Sequence, residues 1–333
     1  MKEPRVAIVG ATGMVGQEMR NVLEQRSFPL RSLKLLASER SRGRSLDFRG
    51  ETISVEVLDE GSLQDIDLAL FSAGGSTSKK FAPIAVDAGA VVVDNSSAFR
   101  MEPGVPLVVP EVNAQEAFKH KGIIANPNCS TIQLVVVLYP LHKEFTIRRV
   151  VITTFQSVSG TGKEAVEELR QQIRDIEEGR RVSAEVYPHQ IAYNVLPHID
   201  VFLENGYTRE EVKMVDETRK IMGQPDLPVT ATAARVPVLI GHSESVNIQF
   251  AEPVEPEKAR EVLAGAPGVE VVDDPAQNRY PLAVHCEGKD PSYVGRIRKD
   301  FSAENALNIW IVSDNLRKGA ALNAVQIAEL LLE

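Results

Sequence analysis

The sequence predicts an α/β protein in two parts: a doubly wound, mostly parallel sheet near the N-terminus, and then an α+β region with a mixed sheet. Short apolar segments in the first part alternate with stretches long enough for helices, which is the pattern of parallel strands joined by crossover helices. These predicted strands are 5–9, 33–37, 68–72, 91–94 and 123–125. From residue 150 the segments are longer and rich in β-branched residues, and they predict strands at 150–155, 231–238, 245–250, 269–272 and 307–312.

Helices are predicted at 17–24, 132–141 and 163–178, and the final segment 315–333 is predicted as one amphipathic helix. The apolar side of that last helix needs a surface to pack on, and consists of Leu322, Val325, Ile327, Leu330 and Leu331. A chain of 333 residues exceeds the usual size of one domain. We expect a first domain of 1–127, completed by 315–333, and a second of 128–314.

The composition argues against several classes of function. A net charge of −9 and a pI near 5.4 disfavour a nucleic-acid partner, because phosphate backbones attract basic surfaces. The two cysteines, Cys129 and Cys286, are too few for a disulfide framework. Neither a signal peptide nor an apolar run of about 20 residues is visible, so a cytoplasmic protein without a membrane partner is expected. The six histidines show no metal-ligand spacing, and no metal is expected.

A glycine-rich turn follows the first predicted strand, with the sequence Gly10-Ala-Thr-Gly13-Met-Val-Gly16. A strand, such a turn and then a helix form the opening of a Rossmann-like dinucleotide-binding unit, in which glycines let the backbone approach a pyrophosphate. The spacing GxxGxxG departs from the usual GxGxxG and is commoner in NADP-dependent and acyl-reducing variants. The alternative is an ordinary turn between a strand and a helix.

The segment after the second predicted strand, Ser38-Glu39-Arg40-Ser41-Arg42, bears on the choice of dinucleotide. An acidic residue here binds the ribose 2′-hydroxyl of NAD, whereas arginines and serines suit the 2′-phosphate of NADP. The arginines and serines outweigh Glu39, so NADP is the expected cofactor. The alternative is a basic loop that only faces solvent.

The segment Asn126-Pro-Asn128-Cys129-Ser-Thr131 places a cysteine in a polar turn just before the predicted helix 132–141. A helix N-terminus carries about half a positive charge, which lowers the pKa of a nearby thiol. Cys129 is therefore a candidate nucleophile. The alternative is a buried structural cysteine, since cysteine is among the residue types most often buried.

Two further segments carry candidate polar residues. The stretch from Ser157 to Lys163 is rich in glycine but lacks the first glycine and the final Ser/Thr of a P-loop, and it is either a cofactor cradle or an ordinary turn. Arg235 and His242 are seven residues apart, which on one continuous strand would point them to opposite faces unless Pro237 and Gly241 change the phase. A lone histidine is more often structural, but a thiol and an imidazole together are the minimum for covalent acyl chemistry.

Taken together, the motifs resemble those of the aspartate-semialdehyde dehydrogenase family over essentially the whole chain. They are Gly10 to Gly16, Asp94-Asn-Ser-Ser-Ala-Phe-Arg100, Asn126 to Thr131, Gln156-Ser-Val-Ser-Gly160, Arg235-Val-Pro237 with Gly241-His242, and Gly319-Ala-Ala-Leu-Asn323. Each motif is weak alone, and the set is highly specific. The resemblance implies a Rossmann-like cofactor domain, a catalytic and dimerisation domain, and a homodimer.

The resemblance also implies a reaction: reductive dephosphorylation of L-aspartyl 4-phosphate by NADPH, through an acyl-thioester, to L-aspartate 4-semialdehyde. The product serves synthesis of lysine, threonine, methionine, isoleucine and diaminopimelate. Cys129 matches the family nucleophile, His242 its acid/base group and Gln156 the residue that orients the substrate. The other matches are phosphate ligands (Arg100, Asn128 and Lys213), ligands of the substrate carboxylate and ammonium (Arg235 and Glu210), and cofactor positions (Gly10, Thr12, Gly13, Met14, Val15, Ser38, Arg40, Ser41, Ala73, Ser159, Gly160 and Asn315).

Elementary chemistry supports some of these roles and leaves others open. Arg235 suits a carboxylate, because a guanidinium binds one through two parallel hydrogen bonds. Glu210 and Lys213 share one helix face, and they either bind the two ends of a small zwitterion or form a surface ion pair. Glu211 competes with its neighbour for the ammonium role.

Three alternatives to this function remain at the level of the sequence. N-acetyl-γ-glutamyl-phosphate reductases share the cofactor domain and the cysteine, but their substrate has no ammonium for Glu210 to bind. Glyceraldehyde-phosphate dehydrogenases fit the surrounding motifs poorly. A non-catalytic protein of the same fold would not be expected to retain Cys129, Gln156, Arg235 and His242 together.

Overall fold

The computed structural model describes residues 1–332, which divide into two compact units. The first unit contains Met1–Asn128 and the C-terminal segment from Gly319, and the second contains Cys129–Lys318. The helices are α1 (Met14–Gln25), α2 (Gly75–Asp87), α3 (Pro110–Asn113), α4 (Cys129–Phe145), α5 (Lys163–Glu177), α6 (Arg209–Met222), α7 (Pro256–Ala264), α8 (Ala283–Cys286) and α9 (Leu322–Leu330). Within residues 1–332, no helix is both long enough and apolar enough to cross a bilayer.

The sheet of the first unit is mostly parallel, as predicted. Its strands are β1 (Arg5–Val9), β2 (Ser32–Ala37), β3 (Ser45–Phe48), β4 (Glu51–Val57), β5 (Leu68–Phe71), β6 (Val91–Asp94) and β7 (Ile123–Ala125). They lie in the order β3-β4-β2-β1-β5-β6-β7, and the β3–β4 pair is antiparallel. The chain leaves β1 for β2 on one side and later returns to β5 on the other, so the strand order reverses at the carboxyl end of β1, the usual ligand position in such sheets.

β1 lies at the centre of the first unit. Val6 and Ile8 pack into a layer that contains α1 and α9, whereas Ala7 and Val9 pack into the opposite layer with α2. This alternation follows the two-residue period of a strand, and burial on both faces explains the continuous apolar run. The doubly wound architecture is therefore confirmed for this unit.

Two strands of the first unit, β3 and β4, were not predicted. Their sequences are SLDF and ETISVEV, and most of their side chains are exposed or half-buried. β3 is the edge strand and β4 lies next to it; neither has an apolar run, because most of their side chains are not covered by the core.

The sheet of the second unit is mixed, which confirms the prediction of its class. Its strands are β8 (Ile147–Gln156), β9 (Val229–Arg235), β10 (His242–Phe250), β11 (Val269–Val271), β12 (Ser292–Lys299) and β13 (Ala306–Ser313). They lie in the order β11-β12-β13-β10-β8-β9, with β8–β9 and β11–β12 parallel and the other pairs antiparallel. The long helix α4 packs against β8, β10, β12 and β13.

The sequence patterns missed one strand of this sheet and misplaced the end of another. β12 was not predicted, because its basic residues in SYVGRIRK interrupt the apolar pattern. The predicted strand 231–238 ends at Arg235, since Pro237 has no N–H for a ladder and the chain turns away after Arg235. The predicted strand at 245–250 begins earlier, at His242.

The helix predicted at 132–141 is α4, and it begins three residues earlier, at Cys129. The cysteine is therefore the first residue of the helix and does not belong to the preceding turn. Most of the α4 side chains from Ser130 to Leu138 are buried, as expected of a helix that is apolar on all sides.

The prediction of one amphipathic helix over 315–333 is wrong. Arg317–Ala321 form a π-helical turn, and α9 follows it; the last residue, Glu333, lies outside the described residues. Leu322 to Val325, together with Ile327 and Ala328, are buried, so α9 has no broad polar face. Apolar residues and alanines surround its axis because it packs between α1 and β6.

Candidate active site

Three predicted site residues lie side by side where three neighbouring strands of the second unit begin or end. Gln156 ends β8, Arg235 ends the parallel strand β9, and His242 begins the antiparallel strand β10 on the other side of β8. Gln156 pairs directly with Arg235. The three side chains are 2%, 5% and 0% exposed. The question of phase between Arg235 and His242 disappears, because they belong to different strands.

The turn after β8 lies against both Arg235 and His242. A Cβ atom added to Gly160 would be 3.0 Å from Arg235 Nη1 and 3.2 Å from His242 Nε2. Any side chain here would push on both groups, so glycine at 160 keeps the space between them open. The predicted glycine-rich stretch from Ser157 to Lys163 thus contributes its first turn to the polar cluster.

His242 is held in one tautomer. Its Nδ1 accepts a hydrogen bond from the Ser157 backbone N–H at 3.1 Å. A backbone N–H can only donate, so the proton of the neutral imidazole lies on Nε2. Burial and, secondarily, the charge of Arg235 lower the pKa of His242 well below 6.5, which favours this neutral form. Nε2 is buried and has no hydrogen-bond partner among residues 1–332.

Asn315 stabilises the position of His242 through hydrogen bonds to residues around it. Its Oδ1 accepts hydrogen bonds from Gly241 N–H at 2.8 Å, Ser157 Oγ at 3.1 Å and Ser159 Oγ at 3.2 Å. The network connects the residue before His242 to the turn that donates to its ring. Ser159, Gly160 and Asn315, predicted as cofactor positions, are therefore neighbours of the imidazole.

Arg235 is anchored by one edge of its guanidinium. Nη1 donates to the Ser157 carbonyl at 2.7 Å, while Nε is buried without a partner in the described chain. The Tyr187 ring lies beside the guanidinium, 5.9 Å from centroid to Cζ, and its hydroxyl donates to Thr161 Oγ1 at 2.9 Å. Arg235 Nε is therefore a buried donor to which the described chain offers no acceptor.

A chain of polar contacts extends from Gln156 to the first turns of α6. Gln156 Nε2 donates to Glu210 Oε1 at 3.2 Å, and Lys213 Nζ lies 3.3 Å from Glu210 Oε2 and 2.7 Å from Asp200 Oδ2. The Glu210 side chain is 7% exposed and that of Lys213 22%, so this is no ordinary surface ion pair.

Glu211, the alternative to Glu210 for binding the substrate ammonium, has a structural role. Its carboxylate accepts from Thr208 N–H at 2.7 Å, which completes a capping box, and from Ala233 N–H at 2.9 Å. Glu210, in contrast, points to Gln156. The geometry favours Glu210 over Glu211 as a ligand.

Cys129 lies half-buried at the N-terminus of α4, whose first turn contains no acidic residue. One turn further along, Gln133 Nε2 donates to the His242 carbonyl at 3.4 Å. The structure thus brings the beginning of α4 to the beginning of β10. Cys286 differs, since burial raises the pKa of its thiol to about 12.

In the first unit, the turn after β1 requires its glycines. Gly10 has a φ of +87°, and a Cβ there would be 2.5 Å from the Ser72 carbonyl oxygen and 3.1 Å from Ala73 N. A Cβ on Gly16 would be 2.2 Å from the Gly10 oxygen. α1 begins at Met14, next to Val15, with no side-chain cap at Gly13 and no acidic residue in its first turn. Such a helix N-terminus suits a pyrophosphate.

The segment after β2 is polar, and apart from the buried Ser41 it is exposed. Thr12 Oγ1 and Ser41 Oγ are 2.9 Å apart, which joins it to the glycine turn. Arg42 lies 3.0 Å from the Glu39 carboxylate, so the acidic residue of this segment is paired. Ser38 and Arg40 are exposed.

Arg100 and Asn128 are buried in the first unit, with 7% and 6% of their surface exposed. Arg100 donates from Nε to the Asn126 carbonyl and from Nη2 to the Asn95 carbonyl, each at 2.9 Å. Asn126 in turn accepts a hydrogen bond from Asn323 at 2.7 Å. These contacts connect the motifs that end at Arg100, begin at Asn126 and end at Asn323.

Comparisons with known proteins identify the family. A model described as "Semialdehyde dehydrogenase, NAD binding domain" matches residues 5–120, and one described as "Semialdehyde dehydrogenase, dimerisation domain" matches 138–318. The aspartate-semialdehyde dehydrogenase of Aquifex aeolicus is 56% identical over 333 residues, which cover 99% of this chain and 98% of that protein. The chain belongs to the aspartate-semialdehyde dehydrogenase family.

Solved structures agree with this assignment to the aspartate-semialdehyde dehydrogenase family. Aspartate semialdehyde dehydrogenase II from Vibrio cholerae, complexed with ASA, has a TM-score of 0.97 and 46% identity and covers 100% of this chain and 99% of its own. The Candida albicans enzyme with NADP has a TM-score of 0.75 and 25% identity, covering 99% and 98%.

The sequence motifs of this member of the aspartate-semialdehyde dehydrogenase family do not mark Tyr187, Asp200 or Gln133 as site neighbours, and they mark Ser157 only as the start of a glycine-rich stretch. Ser157 acts on His242 through its backbone N–H and on Arg235 through its carbonyl, so its side-chain type carries little signal. Asp200 and Tyr187 come from a long loop whose path no periodicity predicts. Gln133 had a signal, because it lies one helical turn from Cys129. In residues 1–332, no group of three or more His, Cys, Asp or Glu side chains is arranged to hold a metal.

Proposed function

We propose that this protein catalyses the NADPH-dependent reductive dephosphorylation of L-aspartyl 4-phosphate to L-aspartate 4-semialdehyde, with release of NADP and phosphate. Family membership supports the proposal, as does the relative from Vibrio cholerae that was solved with ASA. The observation that carries it is the buried polar row of Gln156, Arg235 and His242, with Glu210 in contact with Gln156. Buried charges of this kind are costly unless they serve a ligand or a partner.

The substrate's amino-acid end fits Arg235 and Glu210. The free Nε side of the Arg235 guanidinium binds the α-carboxylate, while its anchored Nη1 keeps the plane fixed. Glu210 binds the α-ammonium, next to Gln156, which orients the reacting carbonyl. An N-acetylated substrate offers no ammonium, and the buried Glu210 carboxylate would then lose its partner, which is unfavourable.

We assign the substrate phosphate to Lys213, Arg100 and Asn128. Lys213 is paired with Asp200 and Glu210, so a bound phosphate competes with these carboxylates for its ammonium. Arg100 already donates to two backbone carbonyls, which fixes the direction of its guanidinium. These three assignments rest on the sequence motifs.

The first unit fits a dinucleotide, and the details favour NADP. The tight turn at Gly10 and the uncapped N-terminus of α1 suit a pyrophosphate. The exposed Arg40, with Ser38 and Ser41, suits a 2′-phosphate, and the acid of this segment, Glu39, is paired with Arg42. When bound, NADPH supplies the hydride for reduction of the acyl group. A relative at 25% identity was solved with NADP.

The reaction on the protein's side begins with the Cys129 thiolate at the N-terminus of α4. Its sulfur attacks the acyl carbon, a C–S bond forms, the carbon–oxygen bond to phosphate breaks, and an acyl-thioester remains. His242 donates from Nε2–H to the negative oxygen of the tetrahedral adduct on each side of this thioester. Reduction of the thioester gives a thiohemiacetal, which collapses to the aldehyde and restores the Cys129 thiolate. The one proton that the overall reaction consumes is carried by the phosphate released in the first step. The fixed tautomer makes His242 the hydrogen-bond donor of this scheme.

The experiment is phosphate-dependent NADP reduction with L-aspartate 4-semialdehyde, repeated with N-acetylglutamate semialdehyde and with NAD. We expect activity with the first substrate, at least about a hundredfold preference over the second, and a preference for NADP. Mass spectrometry of trapped turnover should show an adduct on Cys129. Activity without such an adduct, or a preference for the N-acetylated substrate, would contradict the proposal.

The pathway and the assembly are also proposed. The semialdehyde would supply synthesis of lysine, threonine, methionine, isoleucine and diaminopimelate. We infer a homodimer, supported by the family model described as a dimerisation domain over 138–318. The face of β10 away from α4 presents half-buried Ser243, Ser245 and Asn247, a surface that suits a second copy of the chain. Sedimentation velocity tests this, and a monomer at micromolar concentration would refute it.

A further inference from the structure

The proposed mechanism gives no role to the buried acid Glu244. Glu244 lies on β10 two residues after His242, on the same face of the strand, and it is 0% exposed. Neither of its carboxyl oxygens completes a hydrogen bond in the described chain. An acid in this situation needs an explanation, because burying it unpaired is costly and polar groups in cores are usually satisfied.

The neighbours of Glu244 on the adjacent strands and on α4 are uncharged. Thr154 of β8 and Ile311 of β13 are its cross-strand partners, and Gln133 of α4 lies against its carboxyl group. Burial raises the pKa of Glu244 well above its ordinary 4.5, and the Gln133 amide offsets this only in part. Burial therefore favours the protonated form of the carboxyl group, which has a proton to donate.

The side chain of Gln133 also has an unsatisfied hydrogen-bonding atom. Its Oε1 is buried without a partner in residues 1–332, while its Nε2 donates to the His242 carbonyl at 3.4 Å. A neutral carboxyl O–H on Glu244 and an unsatisfied amide oxygen on Gln133 complement each other. One such bond would satisfy both groups.

We propose that Glu244 is a positioning residue: its carboxylic acid donates to Gln133 Oε1, and Gln133 donates to the His242 carbonyl. Because Gln133 is one turn from Cys129, this relay fixes the first turn of α4 against the start of β10. It thereby sets the position of the Cys129 sulfur relative to the imidazole. The inference rests on the proposed function, since it assumes that the sulfur and the imidazole act in one reaction.

The test uses near-isosteric variants of the full-length protein. In the phosphate-dependent assay, Glu244→Leu and Gln133→Leu should lower kcat about tenfold to a hundredfold, as expected for a displaced reacting group. KM for phosphate should change by less than about threefold, because phosphate binding is not involved. Glu244→Gln, which is neutral and can bond to the same amide, should stay within about threefold of wild type in kcat.

A second measurement separates positioning from mere stability. The pH midpoint for alkylation of Cys129 by iodoacetamide should rise by about half a unit or more in the two leucine variants and stay unchanged in Glu244→Gln. Cys286, with its pKa raised to about 12, serves as the unreactive internal control. Val246→Ala, the next buried position on the same strand face, should lower the melting temperature without moving the midpoint.

The double variant Gln133→Leu/Glu244→Leu distinguishes a positioning role from a purely structural role. It should recover the melting temperature, since an apolar pair replaces a polar one, while the shifted midpoint and the low kcat remain. Recovery of all three quantities would show a purely structural role and overturn the proposal. So would a wild-type midpoint in Glu244→Leu, or a loss in Glu244→Gln as large as in Glu244→Leu. The alkylation midpoint does not depend on the substrate, so this result stands apart from any failure of the proposed reaction.

Discussion

The polar segment after β2 and the polar row at the ends of β8 and β9 differ in how their side chains are held. In the first, Arg42 and Glu39 form an ion pair with 71% and 64% of their side chains exposed. In the second, Arg235 and His242 are 5% and 0% exposed and are fixed by hydrogen bonds to one residue, Ser157. Water screens the first pair, whereas any change in the second leaves a buried group unsatisfied. Substitutions should therefore cause large losses in the buried row and graded changes in the exposed segment.

The largest effect should come from Cys129→Ala. Removal of the sulfur abolishes the thioester, and kcat should fall by about 10⁴ or more. The matched control is Cys286→Ala, which removes the other sulfur and should leave kcat within about twofold, since that thiol lies outside the row. If Cys129→Ala retained more than about a hundredth of the wild-type kcat, covalent catalysis at this residue would be excluded.

His242→Asn should come next, with a loss of about 10² to 10⁴ in kcat, because the amide cannot reproduce a donor in the position of Nε2–H. Thioester formation should slow but remain possible, so mass spectrometry of trapped turnover should still find acylated Cys129. A normal kcat, or an unacylated cysteine, would show that the imidazole is not the group that assists the later steps.

Residue types and motifs were sufficient to predict the members of the buried row, but not its arrangement. Arg235 and His242 are close because β8 lies between β9 and β10, and no periodicity along the chain encodes that strand order. The tautomer of His242 depends on a backbone N–H, and the link from Gln133 to β10 depends on helix packing. The helix α9 is buried on all sides, and the sequence could not predict this because the covering residues are distant along the chain.

The first unit shows the complementary situation. The five strands that cross its core could be predicted, since burial on both faces demands continuous apolar runs. β3 and β4 could not, because most of their side chains lie outside the core and need not be apolar. The glycines after β1 were recognisable from spacing alone, and the structure explains them by close approach of the Gly10 Cβ position to the Ser72 carbonyl.

Gly160→Ala probes the space between the two buried groups. The added methyl would be 3.0 Å from Arg235 Nη1 and 3.2 Å from His242 Nε2, so one of them has to shift by a few tenths of an ångström. We expect about a tenfold to hundredfold loss in kcat/KM for the semialdehyde. Gly265→Ala is the control, because its nearest contact would be an ordinary 3.8 Å. Equal kinetics for both variants would show that the row tolerates displacement.

A smaller effect, visible in stability, should follow from Glu244→Gln. Burial raises the pKa of Glu244 in the folded state above 4.5, so the folded protein binds more protons than the unfolded chain as pH rises past that value. Wild-type stability therefore falls with rising pH in this window, and the glutamine variant escapes the loss. The melting temperature of Glu244→Gln minus that of wild type should grow from pH 4 to pH 8. The opposite contribution of His242, whose lowered pKa removes stability below pH 6.5, is common to both proteins and cancels. A difference that does not change with pH would mean that Glu244 ionises as in water.

The smallest effect should come from the exposed segment. Arg40→Ala should raise KM for NADPH about threefold to tenfold, leave KM for NADH unchanged, and do so less at high salt, since an exposed arginine and a phosphate attract through screened charge. Arg42→Ala removes the ion-pair partner of Glu39. The unpaired Glu39 carboxylate can then bind a ribose hydroxyl, and the ratio of kcat/KM for NADPH to that for NADH should fall. Stability should change by no more than about 0.5 kcal/mol in either variant. If Arg40→Ala reduced kcat as strongly as Gly160→Ala did, exposure would not be what separates the two regions, and the segment after β2 would have to take part in the chemical step.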